Sequence, residues 1–215
     1  MNNGTLAMNS QTATSPEHSR ATIMAKLAAV LRDCDASITN MESAIAKAGV
    51  SVQEISARFG GPRELILALA SELSDSMSAL LTADSTKPGL RQRLLEFGQC
   101  VTDIYVTSHW GALYRIAVTE SIRHTDLGRD FHEVGPGRLT QRLADFLRIA
   151  QAEGALGSAD PHLLASHFLS PLRAILDVAA TFSHDLATSP VACSADVRNV
   201  VDLFCRGINR GKQLC

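Results

Sequence analysis

The chain has 215 residues, 46% of them apolar and 20% charged, with 20 Lys and Arg against 22 Asp and Glu for a formal charge of −2. These proportions fit an ordinary globular protein of one large domain, or a small domain joined to a medium one, and they give no global pull toward nucleic acid or an anionic membrane. Aromatic residues are only 5% of the chain, while Ala and Leu are plentiful, which biases it toward helix.

Residues 1–18 contain no Lys or Arg and no apolar run that could form the core of a signal peptide, so they are expected to be a disordered leader. No stretch approaches the roughly 20 apolar residues of a membrane span. Cys34, Cys100, Cys193, Cys205 and Cys215 are scattered without a C-x-x-C pair, which reads as free thiols in a reducing, cytoplasmic setting.

From Arg20 onward apolar residues recur at helical spacing and no segment keeps a period of two, so the expected fold is all-α. Ile23, Leu27, Val30 and Leu31 define a first helix ending near Asp33 to Asp35. Thr39-x-x-Glu42 forms a capping box for a second helix, which carries Met41, Ile45 and Ala48 and stops at Gly49. Ser51-x-x-Glu54 opens a short third helix; Gly60-Gly61-Pro62 ends it and starts a fourth, whose face runs through Ile66, Leu69, Leu73, Met77 and Leu80.

After a polar connection from Thr82 to Pro88, Leu90, Leu94, Phe97, Val101 and Ile104 mark a helix that pauses near Thr107-Ser108. Trp110, Leu113, Ile116 and Ala117 mark the next. A further helix after Asp126 is expected to break or kink at Gly135-Pro136-Gly137, resuming through Leu139, Leu143, Phe146, Leu147 and Ala150 to Gly154. Asp160-Pro161 caps a helix that continues past Pro171, and Val197, Val201, Phe204 and Ile208 lie on the last one.

Two capped helices joined by Gly49-Val50-Ser51, with one helix before and a long one behind, have helix-turn-helix geometry, in which the second helix enters a major groove. Residues 44–65, AIAKAGVSVQEISARFGGPREL, resemble the helix-turn-helix of the TetR family of one-component regulators. Ile45, Ala46, Ala48, Gly49, Val50, Ser51, Ile55, Phe59, Gly61 and Leu65 match that family's pattern in register. Arg115 to Glu120, the segment Leu127 to Pro136, and Gly154-Ala155-Leu156 before Asp160-Pro161 are similar to the ligand-binding and dimerisation region of one branch. The resemblance covers residues 20–183.

It implies a leader at 1–18, a DNA-binding domain at 19–65, and a ligand-binding and dimerisation bundle at 66–211 whose first part, 66–81, is a connecting helix. The expected DNA-contacting residues are Thr39, Ser51, Val52, Gln53, Ser56, Arg58 and Arg63. Three positions depart from the pattern: Glu54 replaces its Thr, Ser56 its Tyr and Pro62 its Lys. Residues 1–80 carry six Lys and Arg against eight Asp and Glu, although phosphate contacts normally come from cations or helix N-termini. Two readings follow. One is a dimeric repressor on a palindromic double-stranded operator; the other is an effector-binding dimer with weakened DNA binding that acts through a protein partner.

By the same resemblance an effector pocket lies inside the C-terminal bundle, with Phe97, Val101, Tyr105, Trp110, Leu113, Tyr114, Phe131, Phe146, His167, Phe168 and Pro171 as candidate lining; the alternative is that these residues are simply core. The implied effector is small and mainly apolar with one polar end. His109, His162 and His167 lack a spacing that would gather a metal, and no nucleophile-elbow, P-loop or dinucleotide motif is present. Neither metal, cofactor nor enzymatic activity is expected. The faces Leu164 to Ala179 and Val197 to Ile208 are the expected homodimer contact, or else complete the monomer core.

Overall fold

The computed structural model describes residues 16–33, 38, 40–82, 89–107, 109–123, 125–182 and 190–210. In chain order the helices are α1 (Pro16–Arg32), α2 (Met41–Lys47), α3 (Val52–Phe59), α4 (Pro62–Ser78), α5 (Leu90–Thr107), α6 (Trp110–Arg123), α7 (Thr125–His132), α8 (Arg138–Ala152), α9 (Pro161–Phe182) and α10 (Pro190–Arg210). A 3₁₀ turn, Ala79–Leu81, extends α4, and a π turn, Glu133–Gly137, joins α7 to α8. No strand occurs among the described residues, and none of their helices is long and apolar enough to cross a membrane.

Helix α1 begins at Pro16, inside the segment expected to be a leader; residues 1–15 lie outside the described residues. Its inner face, Ile23, Leu27 and Leu31, meets Met41, Ala44 and Ile45 of α2, Ile55 and Phe59 of α3, and Leu65 and Leu69 of α4 in one buried cluster. The α2 cap differs from the expected Thr39-x-x-Glu42. Asn40 adopts the extended N-cap conformation, and its Oδ1 accepts the Ser43 N–H at 2.9 Å, so the helix starts one residue later; Thr39 lies outside the described residues.

Helix α4 joins the two halves. Its buried residues from Leu65 to Met77 pack against α2 and α3 on one side and against α5, α6, α7, the π turn and α8 on the other. Of the break or kink expected at Gly135-Pro136-Gly137, the break does not occur: the chain continues helically from Thr125 to Ala152 through an irregular π turn. Side-chain donors brace the carbonyls of the turn. Ser74 Oγ donates to the Gly135 carbonyl at 3.1 Å, and Thr140 Oγ1 and Arg173 Nη2 donate to that of Pro136 at 2.9 and 3.0 Å.

In the bundle, α9 lies along α8 and α10 along α5. The faces expected to make a dimer contact turn inward instead. Leu172, Phe168, Val197 and Val201 are buried, and Phe168 meets the Phe204 ring edge-on at 5.1 Å. The reason lies on α5, where a Cβ on Gly98 would stand 3.0 Å from Val197 and 3.6 Å from Leu172 and Phe168, so this glycine lets α9 and α10 close upon it. The side chains of Ile175 and Ala179 lie outside the described ones.

Candidate DNA interface and ligand compartment

The turn between α2 and α3 is built from both ends. Gly49 takes the left-handed conformation, φ 64°, donates to the Ala46 carbonyl at 3.1 Å, and lets Val50 donate to that of Ile45 at 3.3 Å. These paired bonds are a Schellman stop, sealed by the buried Val50. One residue later Ser51 caps α3: its Oγ accepts the Glu54 N–H at 3.1 Å while Glu54 Oε2 accepts the Ser51 N–H at 3.0 Å. These bonds from the Ser51 backbone and side chain hold the Glu54 carboxyl below the usual carboxylate range.

Ile55 and Phe59 anchor α3 in the core, which turns Val52, Gln53 and Ser56 outward with Ser51 at the exposed N-terminus. Arg58 is half-buried in the last turn, close enough to Glu54 for their charges to interact. Two neighbouring arginines are engaged within the protein. Arg20 donates to the Arg58 carbonyl at 3.0 Å, capping the end of α3, with its guanidinium 4.5 Å from the Phe59 ring centre. Arg63, expected at DNA, pairs with Glu64 at 3.2 Å and with Asp130 of α7.

That contact is one of several polar ties between α4 and the bundle. Arg138 of α8 bonds Asp75 at 2.9 Å and Ser71 Oγ at 2.9 Å, and Ser74 holds the π turn. Asp130, Arg138 and Asp75 escaped the sequence reading because partners 63 to 67 residues apart leave no local pattern.

The candidate effector residues divide into separate groups. Tyr105, Trp110, Phe131 and Tyr114 form a chain of rings, with Trp110 centred 5.0 Å from Tyr105 and 5.7 Å from Phe131, and Phe131 6.3 Å from Tyr114. Trp110 also faces the π turn, where a Cβ on Gly135 would lie 3.4 Å from its ring and 3.8 Å from Ala70 of α4. Phe97 and Phe168 stack at 6.1 Å deeper between α5 and α9, Val101 and Leu113 are fully buried, and Phe146 lies under the Arg93 guanidinium at 4.3 Å.

His167 and Pro171 do not join these groups. The inner stripe of α9 is Leu164, Ala165, Phe168, Leu169 and Leu172, so helical periodicity carries His167 and Pro171 to its exposed side with Leu163.

Two buried polar groups lack a full set of partners. His109, immediately before Trp110, is 8% exposed, and both its ring nitrogens lack a hydrogen-bond partner. Burial, with the Arg32 charge adding to it, lowers its pKa to about 4. Glu120, at the inner face of α6, has an unpartnered Oε1. A groove of about 500 Å³ lies elsewhere, between α5 and α10, lined by Leu95, Cys100 and Ile104 with Glu96, Asp103 and Arg198, none of which is among the candidate effector residues. Among the described residues no three His, Cys, Asp or Glu gather as a metal site.

The profile of the AefR-like transcriptional repressor C-terminal domain matches residues 92–207, more than half of the chain. Among solved structures, a protein assigned to the TetR family from Mesorhizobium loti MAFF303099 superposes with a TM-score of 0.72 at 22% identity, covering 89% of this chain and 96% of that one. The flavonoid-responsive regulator FrrA gives 0.62 at 25% identity, with 89% and 97% covered. A TetR-family transcriptional regulator from Pseudomonas syringae pv. tomato str. DC3000 gives 0.62 at 22%, with 90% and 96% covered. No curated protein matches. With a helix-turn-helix in front of an AefR-like C-terminal domain, the chain belongs to the TetR family of transcriptional regulators.

Proposed function

We propose that the protein is a homodimeric, effector-responsive repressor that binds a palindromic DNA operator through α3. The observation that carries this reading is the turn itself: a Schellman stop and a complete capping box fix α3 as a projecting helix with Val52, Gln53 and Ser56 outward. Gln53 has the donor and acceptor pair that reads an adenine edge, and Val52 suits a thymine methyl. Ser51 and the free amides of the α3 N-terminus suit a phosphate, and Arg58 adds a cation. Arg63 is not assigned to the resting interface, because Asp130 engages it. Dimerisation would use the outward sides of α9 and α10, where Leu163 is 52% and Leu203 76% exposed.

The effector enters among the rings of Tyr105, Trp110, Tyr114 and Phe131, whose surfaces suit a small, largely apolar, planar molecule, with the neighbouring His109 as the candidate partner for its polar end. FrrA is flavonoid-responsive, and an aromatic molecule with polar edges suits the stacking surface here. Such a ligand bears on regulation because Trp110 faces Gly135 of the π turn, which itself packs beside Ala70 of the connecting helix.

The test is binding to duplex DNA from the region upstream of the protein's own gene, compared with scrambled duplex. Gln53→Ala should lower the preference for the upstream duplex about tenfold, the value of a lost bidentate base contact. Glu54→Gln, which retains the capping box but removes a carboxylate beside the phosphates, should tighten binding to both duplexes at low salt. Equal binding of wild type and Gln53→Ala to the two duplexes would remove the operator-reading role.

A further inference from the structure

We infer that Asp130, on α7 of the C-terminal bundle, withholds Arg63 from DNA, so that this ion pair sets how many phosphates the reading domain neutralises. The inference rests on the proposed docking of α3 and adds to it a control residue outside the DNA-binding domain. Arg63 is the second residue of α4, only four past the end of α3. It stands at the edge of the reading helix, where a guanidinium would meet the backbone of bound DNA. The pairing consumes a cation in a domain that has few, since Arg20 is already committed to the end of α3.

The exposure of the pair makes exchange feasible. The Arg63 and Asp130 side chains are 39% and 24% exposed, so neither becomes a buried bare charge when they part. Asp130 also keeps a second partner, Arg129 Nε at 3.2 Å. A carboxylate that stays paired loses less when Arg63 turns to DNA.

The neighbouring contacts connect the pair to the effector compartment. Arg138 fastens the far part of α4 through Asp75 and Ser71, about 18 Å along the helix from Arg63 at the standard rise. The bundle can therefore hold α4 at Asp75 while α7 approaches or leaves its beginning. Helix α7 carries Phe131 of the ring chain directly after Asp130. A ligand that displaces Phe131 moves the adjoining carboxylate. If it draws Asp130 onto Arg63, the complex loses a phosphate contact in each protomer; if it draws Asp130 away, the complex gains one.

The experiment measures binding of the full chain to random-sequence duplex DNA across a sodium chloride series, for wild type, Asp130→Asn, Arg63→Gln and the double variant. Asp130→Asn should bind more tightly at low salt and steepen the slope of log K against log salt by about 0.9 for each protomer, the value of one added phosphate contact. The double variant should return to the behaviour of Arg63→Gln alone, and Asp130→Glu, which keeps the charge, should resemble wild type. A wild-type salt slope that Asp130→Asn leaves unchanged, or weakening by Asp130→Asn equal to that of Arg63→Gln, overturns the inference and leaves the DNA-binding reading standing. No binding by wild type or Asp130→Asn at low salt overturns both.

Discussion

His109 stands where the end of α1 meets the start of α6: its imidazole is buried, neither nitrogen has a partner, and Arg32 of α1 adds to its reluctance to protonate. Its pKa falls from the ordinary 6.5 to about 4. Between those values the unfolded chain binds a proton that the folded chain refuses, so stability declines as pH drops through 6.5 toward 4. By pH 5 the loss relative to pH 7 should be about 2 kcal/mol, given about 1.4 kcal/mol for each pH unit of displaced titration. Urea unfolding at the two pH values checks this: the wild-type midpoint should fall on acidification, and His109→Leu should flatten the change. An undiminished pH dependence in the variant would place its origin elsewhere. The histidine is plain in the sequence, but its burial is not, because it depends on α1 folding over the start of α6.

At the scale of elements, the α2–α3 turn was the most legible part of the chain, because its stop and cap are local chemistry. Ala48, Gly49, Val50 and Ser51 each perform the backbone or hydrogen-bonding role that their residue types imply. Gly49→Ala tests that role alone, since a Cβ there meets nothing within 4 Å and the penalty comes entirely from the left-handed φ of 64°. The variant should lose about 1 to 2 kcal/mol of stability, measured by chemical denaturation, whereas Gly49→Asn should lose less; equal stability of all three would show that the turn tolerates another conformation. The π turn was less legible. Gly135-Pro136-Gly137 reads as a break because proline supplies no donor, yet a π turn carries the helix through, braced by Ser74, Thr140 and Arg173, two of which come from α4 and α9. Helical periodicity located α9 and its inner stripe; His167 and Pro171 entered the candidate lining through the family resemblance, although the same periodicity carries them to the exposed side.

For the whole molecule, the decisive quantity is charge at the reading surface. The count of six cations against eight acids in residues 1–80 understates the shortage, because Arg20 and Arg63 are spent on the Arg58 carbonyl and on Asp130. A dimer whose two α3 helices lie about 34 Å apart would grip successive major grooves, with helix N-termini and a few arginines providing its hold. Such a binder should depend on salt, but less steeply than one lined with lysines. The most direct measurement is therefore the affinity of the wild-type protein for duplex DNA from its own upstream region over a range of salt concentrations. A DNA-reading dimer of this kind binds at low salt, with log K falling linearly against log salt by about 0.9 for each phosphate neutralised. A slope of zero, or no binding at the lowest salt, would contradict it.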